Sequence, residues 1–236
     1  AAMLLAGTMV NAVAFQLMAH GLQGYPFGLP SGPAYTFEPS LMFLFVSGHI
    51  ALAGPGRFAV QPHFPSLAFL KEHTHPIFNL LKDPVFSDLT NFLLRVGTAS
   101  LMVHHGLDKL QHVEGFSTNV IAAYFPFLPG PPEFWTYLSA CFEIGGSFCL
   151  TTGLFVRPAA AALVGTMINA NAFQFMANGL QGYPFGVPKG GAYTFEPTLA
   201  MFAVNSYIML AGPGRFGLQT CCRPVKPVKP WPADII

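Results

Sequence analysis

The scarcity of charged side chains is the feature that most constrains how this chain folds. Only 9% of its 236 residues are charged, while 52% are hydrophobic and 14% are aromatic. A soluble domain carries about 25% charged residues, because water must be met by a polar surface. The net charge of +1 also provides no field that would attract nucleic acid. The composition therefore predicts an integral membrane protein, and it argues against a soluble enzyme, a nucleic-acid-binding protein and a disordered chain.

Long apolar stretches recur along the chain and predict an all-α, polytopic membrane fold. A membrane helix needs about 20 mostly apolar residues. Six stretches meet or approach that length: 1–21, 37–54, 90–110, 134–155, 158–179 and 195–212. Glycine and proline separate most of them, as expected where helices end. Residues 61–89 instead mix charges with prolines, so we predict a linker on the membrane surface.

The distribution of basic residues predicts the orientation in the membrane. An even number of spans places both termini on one side. That side receives Arg57, Lys71, Lys82, Arg157, Arg215, Arg223, Lys226 and Lys229, whereas the other side receives only Lys109 and Lys189. Because basic loops stay on the inner side, we expect both termini in the cytoplasm, stroma or matrix. A plastid thylakoid is the membrane we expect, with a respiratory or bacterial inner membrane as the alternative.

The chain contains a long internal repeat. Residues 1–60 align with residues 159–218 at a constant offset of 158, and 39 of the 60 aligned positions are identical. Identity at this level indicates a duplicated unit. Two further spans precede only the second copy. We therefore predict a half unit over 1–60 and a complete four-helix unit over 90–218, joined by the linker. A Pro/Lys-rich docking tail over 219–236 follows the complete unit. The start without methionine leads us to expect a cleaved tandem precursor, or upstream helices supplied by another chain.

Short motifs occur in a fixed order along the complete unit. They are Arg95-Val-Gly97, His105-Gly-Leu-Asp-Lys-Leu110, Glu143-Ile-Gly-Gly146, Gly153-Leu-Phe-Val-Arg-Pro158, Tyr193–Glu196 and Gly212-Pro-Gly-Arg215. Through these motifs residues 92–218 resemble the DoxX family of four-helix membrane proteins, and residues 1–60 resemble its last two helices. The resemblance implies a four-helix bundle. It also implies a role like that of family members that are membrane subunits of a thiosulfate:quinone oxidoreductase or accompany redox-stress machinery.

Arg95 and Glu143 are charged residues within predicted spans, where each needs a partner. The two helices are antiparallel neighbours, so we predict that the side chains meet inside the bundle. One interpretation is a proton or quinone site around this pair. The other, which we favour, is a structural salt bridge that holds the two helices in register.

Polar residues also line one stripe of the first helix in the complete unit. His104, Asp108 and His112 are spaced i, i+4, i+8. Two imidazoles and a carboxylate would suit a divalent metal, and a histidine would suit haem or chlorophyll. Because Asp108 and His112 should emerge at the membrane surface, we predict no metal site. The resemblance ranks His105, Asp108 and Lys109 above His112 as site candidates.

His20 and His49 are candidate ligands that only the first copy carries. The second copy has Asn178 and Tyr207 at these positions. Either histidine would therefore bind a pigment or haem in one copy only. The interpretation we favour is hydrogen bonding within the bundle or at its edge.

Intrinsic catalysis is not indicated. Glu38 and Glu196 each precede a proline at the start of a helix, where a carboxylate suits the positive end of the helix dipole. No nucleotide-binding loop, catalytic Ser/His/Asp arrangement or CxxC pair is present. We therefore predict no catalytic residue.

Three functional interpretations remain. The first, which we favour, is an accessory subunit packed on a larger photosynthetic complex such as a photosystem, or on a respiratory one. The second is a quinone-linked oxidoreductase subunit of the DoxX type, and the third is a small-solute carrier. Phenylalanine-rich spans suit lipid contacts, and they equally suit chlorophyll, carotenoid, haem or quinone. The expected partners are other membrane subunits and lipids, or a second copy of the chain that completes the half unit.

Overall fold

The described part of the protein contains six long helices. The computed structural model describes residues 2–29, 35–53, 84–188 and 192–221, and within these ranges all regular structure is helical. The long helices are α1 (Ala2–His20), α2 (Glu38–Ala53), α3 (Pro84–Gln111), α4 (Pro132–Thr152), α5 (Val156–Asn178) and α6 (Glu196–Ala211). Between α3 and α4 lie a helical turn at Val113–Phe116 and a π-helical segment at Ser117–Ala122, and another short turn occupies Leu218–Cys221.

Each predicted span coincides with one of these helices, which agrees with the all-α fold class. By length and composition, α1 alone among the described helices is long and apolar enough to cross a membrane, while Glu38–Leu52 in α2 is a shorter apolar helix. The number of six spans therefore remains a prediction.

Helix α3 begins earlier than the sequence predicts. It starts at Pro84, so residues 84–89, the last six of the predicted linker, are helical. Proline is well suited to a first helical position, because its missing N–H would have no partner there. Asp88 of this extra turn pairs with Arg215, with 3.1 Å between Oδ2 and Nε. The rest of the predicted linker, at 61–83, and the tail beyond residue 221 lie outside the described residues.

Helix α3 is the centre of the bundle. It packs against α4 on one side and against α2 on another, while α5 packs between α4 and α6. The core between these helices is made of aliphatic and methionine side chains such as Leu101, Met102, Leu150, Leu163 and Ile208, all of them fully buried. Helix α1 packs against α2 but has no buried residue. The first hairpin is thus attached to the other four helices mainly through α2.

The two sequence copies form the same loop between their helices. In the first copy the Tyr35 hydroxyl donates to the Gly28 carbonyl, and in the second Tyr193 donates to Gly186 in the same way. The side-chain oxygen of Gln23 likewise accepts a hydrogen bond from Thr36 N (3.2 Å), as Gln181 does from Thr194 N (3.0 Å). The repeated sequence therefore produces a repeated local structure.

The contact between α3 and α4 depends on the absence of a side chain at Gly106. A Cβ at this position would lie 2.7 Å from Ile144 Cγ1 and 3.0 Å from the Ala140 carbonyl oxygen. We expect Gly106→Ala to lower the free energy of unfolding by about 1–3 kcal/mol, because the helices would have to separate. Thermal unfolding of the purified chain in mild detergent measures this change.

Gly145 provides the matched control for that substitution. It lies on α4, and a Cβ added there meets no atom within 4 Å. Gly145→Ala should leave the unfolding temperature unchanged or raise it, because alanine favours the helix by up to about 1 kcal/mol. Equal losses in the two variants would contradict the packing argument.

Candidate functional site

The described structure contains a buried ion pair between α3 and α4. Lys109 Nζ lies 2.8 Å from Glu143 Oε1 and 2.6 Å from Oε2, so the ammonium group bridges both carboxylate oxygens. The side chains are 13% and 2% exposed, respectively. Because Gly106 has no side chain, α4 approaches α3 closely beside Glu143, and this brings the Glu143 carboxylate within reach of Lys109. The pair is thus built by the same close contact that holds the two helices together.

A cavity of about 300 Å³ adjoins the Lys109–Glu143 pair. It lies between α4, α5 and the segment that precedes α4. Most of its lining is aliphatic or aromatic, and the polar lining consists of the ion pair and three short neutral side chains. The lining residues are Lys109, Phe116, Val120, Ile121, Phe125, Leu128, Trp135, Leu138, Ser139, Phe142, Glu143, Ala162, Gly165, Thr166, Asn169, Ala170 and Phe173. Such a surface favours an apolar ring with one polar end.

The π-helical segment Ser117–Ala122 forms one wall of this cavity. Val120 and Ile121 of the segment line it directly. Phe116, just before the segment, lies under the Lys109 ammonium, with 5.1 Å from Nζ to the ring centroid. A π-helix inserts an extra residue per turn and is found often at functional sites. Here it supplies two apolar side chains to the wall of the cavity.

The predicted pair of Arg95 and Glu143 does not form. Arg95 is fully buried and donates to the Leu150 carbonyl (2.6 Å), the Phe216 carbonyl (3.0 Å) and Asn91 Oδ1 (3.2 Å). The register of the helices explains the difference. Arg95 lies level with Leu150, which is seven residues, or about 10 Å, along α4 from Glu143. Arg95 therefore joins α3 to the end of α4 and to the loop after α6.

The three motif candidates His105, Asp108 and Lys109 do not converge on one site. His105 Nε2 donates to Glu38 Oε1 of α2 at 2.9 Å, whereas Lys109 faces Glu143 of α4. Asp108 Oδ1 accepts a hydrogen bond from His112 Nδ1 at 2.9 Å. Only Lys109 lines the cavity. The motif thus serves three separate contacts.

The stripe of His104, Asp108 and His112 is likewise divided. Asp108 and His112 are 48% and 66% exposed and pair with each other, as expected near the end of a helix. His104 is 1% exposed, and its ring lies against Tyr35, with 4.4 Å between ring centroids. Two of the three residues therefore lie at the surface, and His104 faces a different set of neighbours.

The first-copy histidines differ in their surroundings. His20 is the exposed last residue of α1. His49 is partly buried, makes a hydrogen bond to Thr90 Oγ1 (3.1 Å) and packs against Tyr207, with 4.9 Å between ring centroids. His49 thus connects α2 with α3 and α6, which agrees with hydrogen bonding within the bundle.

Two contacts of the site were not predicted from the sequence. From the sequence, Glu38 is explained by its favourable position at the start of a helix. In the structure Glu38 is 4% exposed and lies beside His104 and His105. From the sequence, Lys109 ranks as a candidate site residue with no assigned partner, yet it pairs with Glu143. The available signals were the adjacent histidines and the unpaired acid within a span, because a buried charge requires a partner.

The comparisons with known proteins identify one region. Residues 90–178 match the DoxX family model, which covers most of α3, all of α4 and all of α5. The match leaves out α6 and the first repeat, so the tandem arrangement remains a prediction. Among curated proteins and solved structures, no significant match is found. Residues 90–178 thus form a DoxX domain, which supports membership of the DoxX family and indicates an integral membrane protein.

Proposed function

We propose that this chain is the quinone-binding membrane subunit of an oxidoreductase. The cavity beside Lys109 and Glu143 carries the proposal, because it combines an apolar, aromatic wall with one buried ion pair. A quinone has the same division, since its ring is apolar and its carbonyl oxygens accept hydrogen bonds. The volume of about 300 Å³ is at the lower end for ligand pockets, so it fits the ring and leaves the isoprenoid tail to lipid.

The ion pair has a defined role in this proposal. Reduction of a quinone to a quinol takes two electrons and two protons. The electrons come from a reduced redox group on another subunit of the complex. The Lys109 ammonium donates a hydrogen bond to one quinone carbonyl. Glu143 takes up a proton from bulk water and passes it to that oxygen as electrons arrive, and the second quinone oxygen takes its proton from water. Buried groups positioned in this way stabilise the charge that develops during reduction.

Trp135 provides a direct test of binding because it lines the cavity. A short-chain benzoquinone should quench its fluorescence in the purified chain, with saturation at a single site. We expect Gly165→Phe to weaken binding at least tenfold. Gly165 also lines the cavity, and a Cβ there meets no atom within 4 Å, so the ring can fill the space without displacing the backbone.

Two variants control for other causes of quenching. Gly145→Phe adds the same ring on α4 at a position outside the cavity lining and should leave the affinity within twofold. Trp135→Phe should remove the saturable signal, because the chain has only one other tryptophan, in the tail. Unsaturable quenching, or equal affinity in the two glycine variants, would contradict a quinone site in this cavity.

The accessory-subunit interpretation remains a second proposal, and α1 favours it. This helix has no buried residue, and it exposes large apolar side chains such as Leu4, Phe15 and Met18. Lipid or another membrane subunit must cover such a surface. Native electrophoresis of the source membrane in mild detergent, with mass spectrometry of the band, tests this. Migration with a larger complex at fixed stoichiometry supports it, and migration as a small oligomer contradicts it.

A further inference from the structure

Three potential ligands converge between α2 and α3, away from the cavity. Glu38 is the first residue of α2, and its two carboxylate oxygens face two adjacent histidines of α3. His105 Nε2 lies 2.9 Å from Oε1, and His104 Nε2 lies 3.4 Å from Oε2. One ligand atom from each residue lies within 4.8 Å of the other two. We call these residues the Glu38–His104–His105 cluster.

The cluster contains buried polar atoms that lack hydrogen bonds. Among the described residues, both ring nitrogens of His104 and Oε2 of Glu38 are inaccessible to solvent and have no hydrogen-bond partner, although Nε2 and Oε2 lie 3.4 Å apart. Leaving a buried polar group unpaired is costly, so such groups are rare without a reason. His104 Nε2 and Glu38 Oε2, which lie 3.4 Å apart, are therefore available to a ligand within the cluster.

We infer that the Glu38–His104–His105 cluster binds a divalent first-row transition-metal ion, of which Zn²⁺ is the simplest representative. Two imidazoles and one carboxylate are a common protein donor set for Zn²⁺ and for non-haem Fe²⁺. Mg²⁺ and Ca²⁺ prefer oxygen ligands throughout and are therefore poor occupants. His104 Nε2, His105 Nε2 and a carboxylate oxygen of Glu38 bind the ion, and the proton on His105 Nε2 moves through solvent to Nδ1 of the same ring.

The spacing of the cluster is compatible with this ion. In a tetrahedral site with bonds of about 2.0–2.2 Å, ligand atoms lie roughly 3.3–3.6 Å apart. The contacts of 2.9 Å to Oε1 and 3.4 Å to Oε2 are close to that range, and rotation of the carboxylate and of one imidazole brings one oxygen and both nitrogens around a common ion. His105 is 31% exposed and offers an access route from the surface. On the buried side the Tyr35 ring packs against His104, with 4.4 Å between ring centroids, and Phe37 stacks on Tyr35.

The second copy of the repeat contains the same loop and carboxylate but no histidines opposite it. Glu196 follows Tyr193 and Phe195 as Glu38 follows Tyr35 and Phe37, and the aromatic rings pack alike in both copies. Among the described residues, no basic side chain pairs with Glu196. The chain thus supplies an internal control, in which the local fold is kept and the proposed ligands are absent.

Metal binding is tested on the full chain in detergent micelles, after removal of any histidine tag. Co²⁺ serves as the probe because its visible spectrum reports coordination, and elemental analysis after dialysis gives the stoichiometry. We expect one tightly bound ion per chain, displaced by Zn²⁺. His104→Ala and Glu38→Gln should each weaken Co²⁺ binding at least tenfold, since losing even a supporting residue of a metal site costs 10- to 100-fold.

A ligand-retaining variant guards against misfolding as the cause of lost binding. His105→Cys should still bind Co²⁺ and should add a thiolate-to-cobalt absorption band that the wild type lacks. Glu196→Gln should bind as the wild type does. The inference is overturned if Co²⁺ binds equally to wild type and His104→Ala, or if His105→Cys shows no new band. None of the three ligands lines the cavity, so either result leaves the quinone test unaffected.

Discussion

Replacing Arg95 by methionine is expected to lower the free energy of unfolding by about 3–6 kcal/mol. The guanidinium group is fully buried and donates to the carbonyls of Leu150 and Phe216. A hydrogen bond to a charged group contributes about 1.5–3 kcal/mol, and its loss leaves a buried carbonyl unpaired. Leu150 also lies in the last turn of α4, where carbonyls lack helical partners and a positive charge is favourable.

Unfolding of the full chain in mixed micelles, titrated with a denaturing detergent, measures this loss. Arg215→Met is the matched control. Arg215 pairs with Asp88 at 3.1 Å but is 49% exposed, so its removal should cost less than about 1 kcal/mol. Arg95→Lys should fall between the two, because an ammonium group does not reproduce the planar fork. If Arg95→Met and Arg215→Met are equally stable, Arg95 does not hold the three segments together.

The helices could be predicted from the sequence because their signals are local. Apolar length and the glycines and prolines between spans place all six near their observed positions. The exception is the first turn of α3, which is predicted as part of the linker because it carries the charged residue Asp88. That carboxylate belongs to a helix because Arg215, 127 residues later, pairs with it. A partner so distant in sequence leaves no trace in the local pattern.

The partners of the buried charges could not be predicted, because they depend on the register between helices. Arg95 and Lys109 lie on the same helix, 14 residues or about 21 Å apart, and either would suit a carboxylate on α4. The contact between α3 and α4 determines which of the two basic residues pairs with Glu143. Gly106 admits α4 beside Lys109, which places Glu143 at that level and Leu150 beside Arg95.

The repeat shows a second limit of sequence reasoning. Tyr35 and Tyr193 make the same hydrogen bond, so duplication of the sequence predicts duplication of the loop. Glu38 and Glu196 nevertheless have different neighbours, because only α2 brings its first residue to His104 and His105. Identical residues acquire different chemistry when their helices pack against different surfaces. The candidate metal site therefore arises from the packing of the first copy on α3.

Glu143→Gln is expected to reduce quinol formation by about 10²- to 10⁴-fold while quinone affinity stays within a few-fold. Glutamine keeps the shape of the side chain and one hydrogen bond to Lys109, but it cannot exchange a proton. A positioned proton donor contributes a factor of this size. The assay is steady-state quinol formation in source membranes that carry the variant, with binding followed by Trp135 fluorescence in the purified chain.

Loss of stability must be separated from loss of proton transfer, because breaking a buried pair costs about 3–5 kcal/mol. The double variant Lys109→Met/Glu143→Gln removes both charges, so it should fold better than Glu143→Gln alone and remain inactive. Glu133→Gln, at an exposed position in the first turn of α4, should keep full activity. A folded Glu143→Gln protein with wild-type turnover would remove the carboxylate from the proton path. The cavity would then be a lipid or quinone contact without chemistry, and the accessory role supported by α1 would become the better account of the chain.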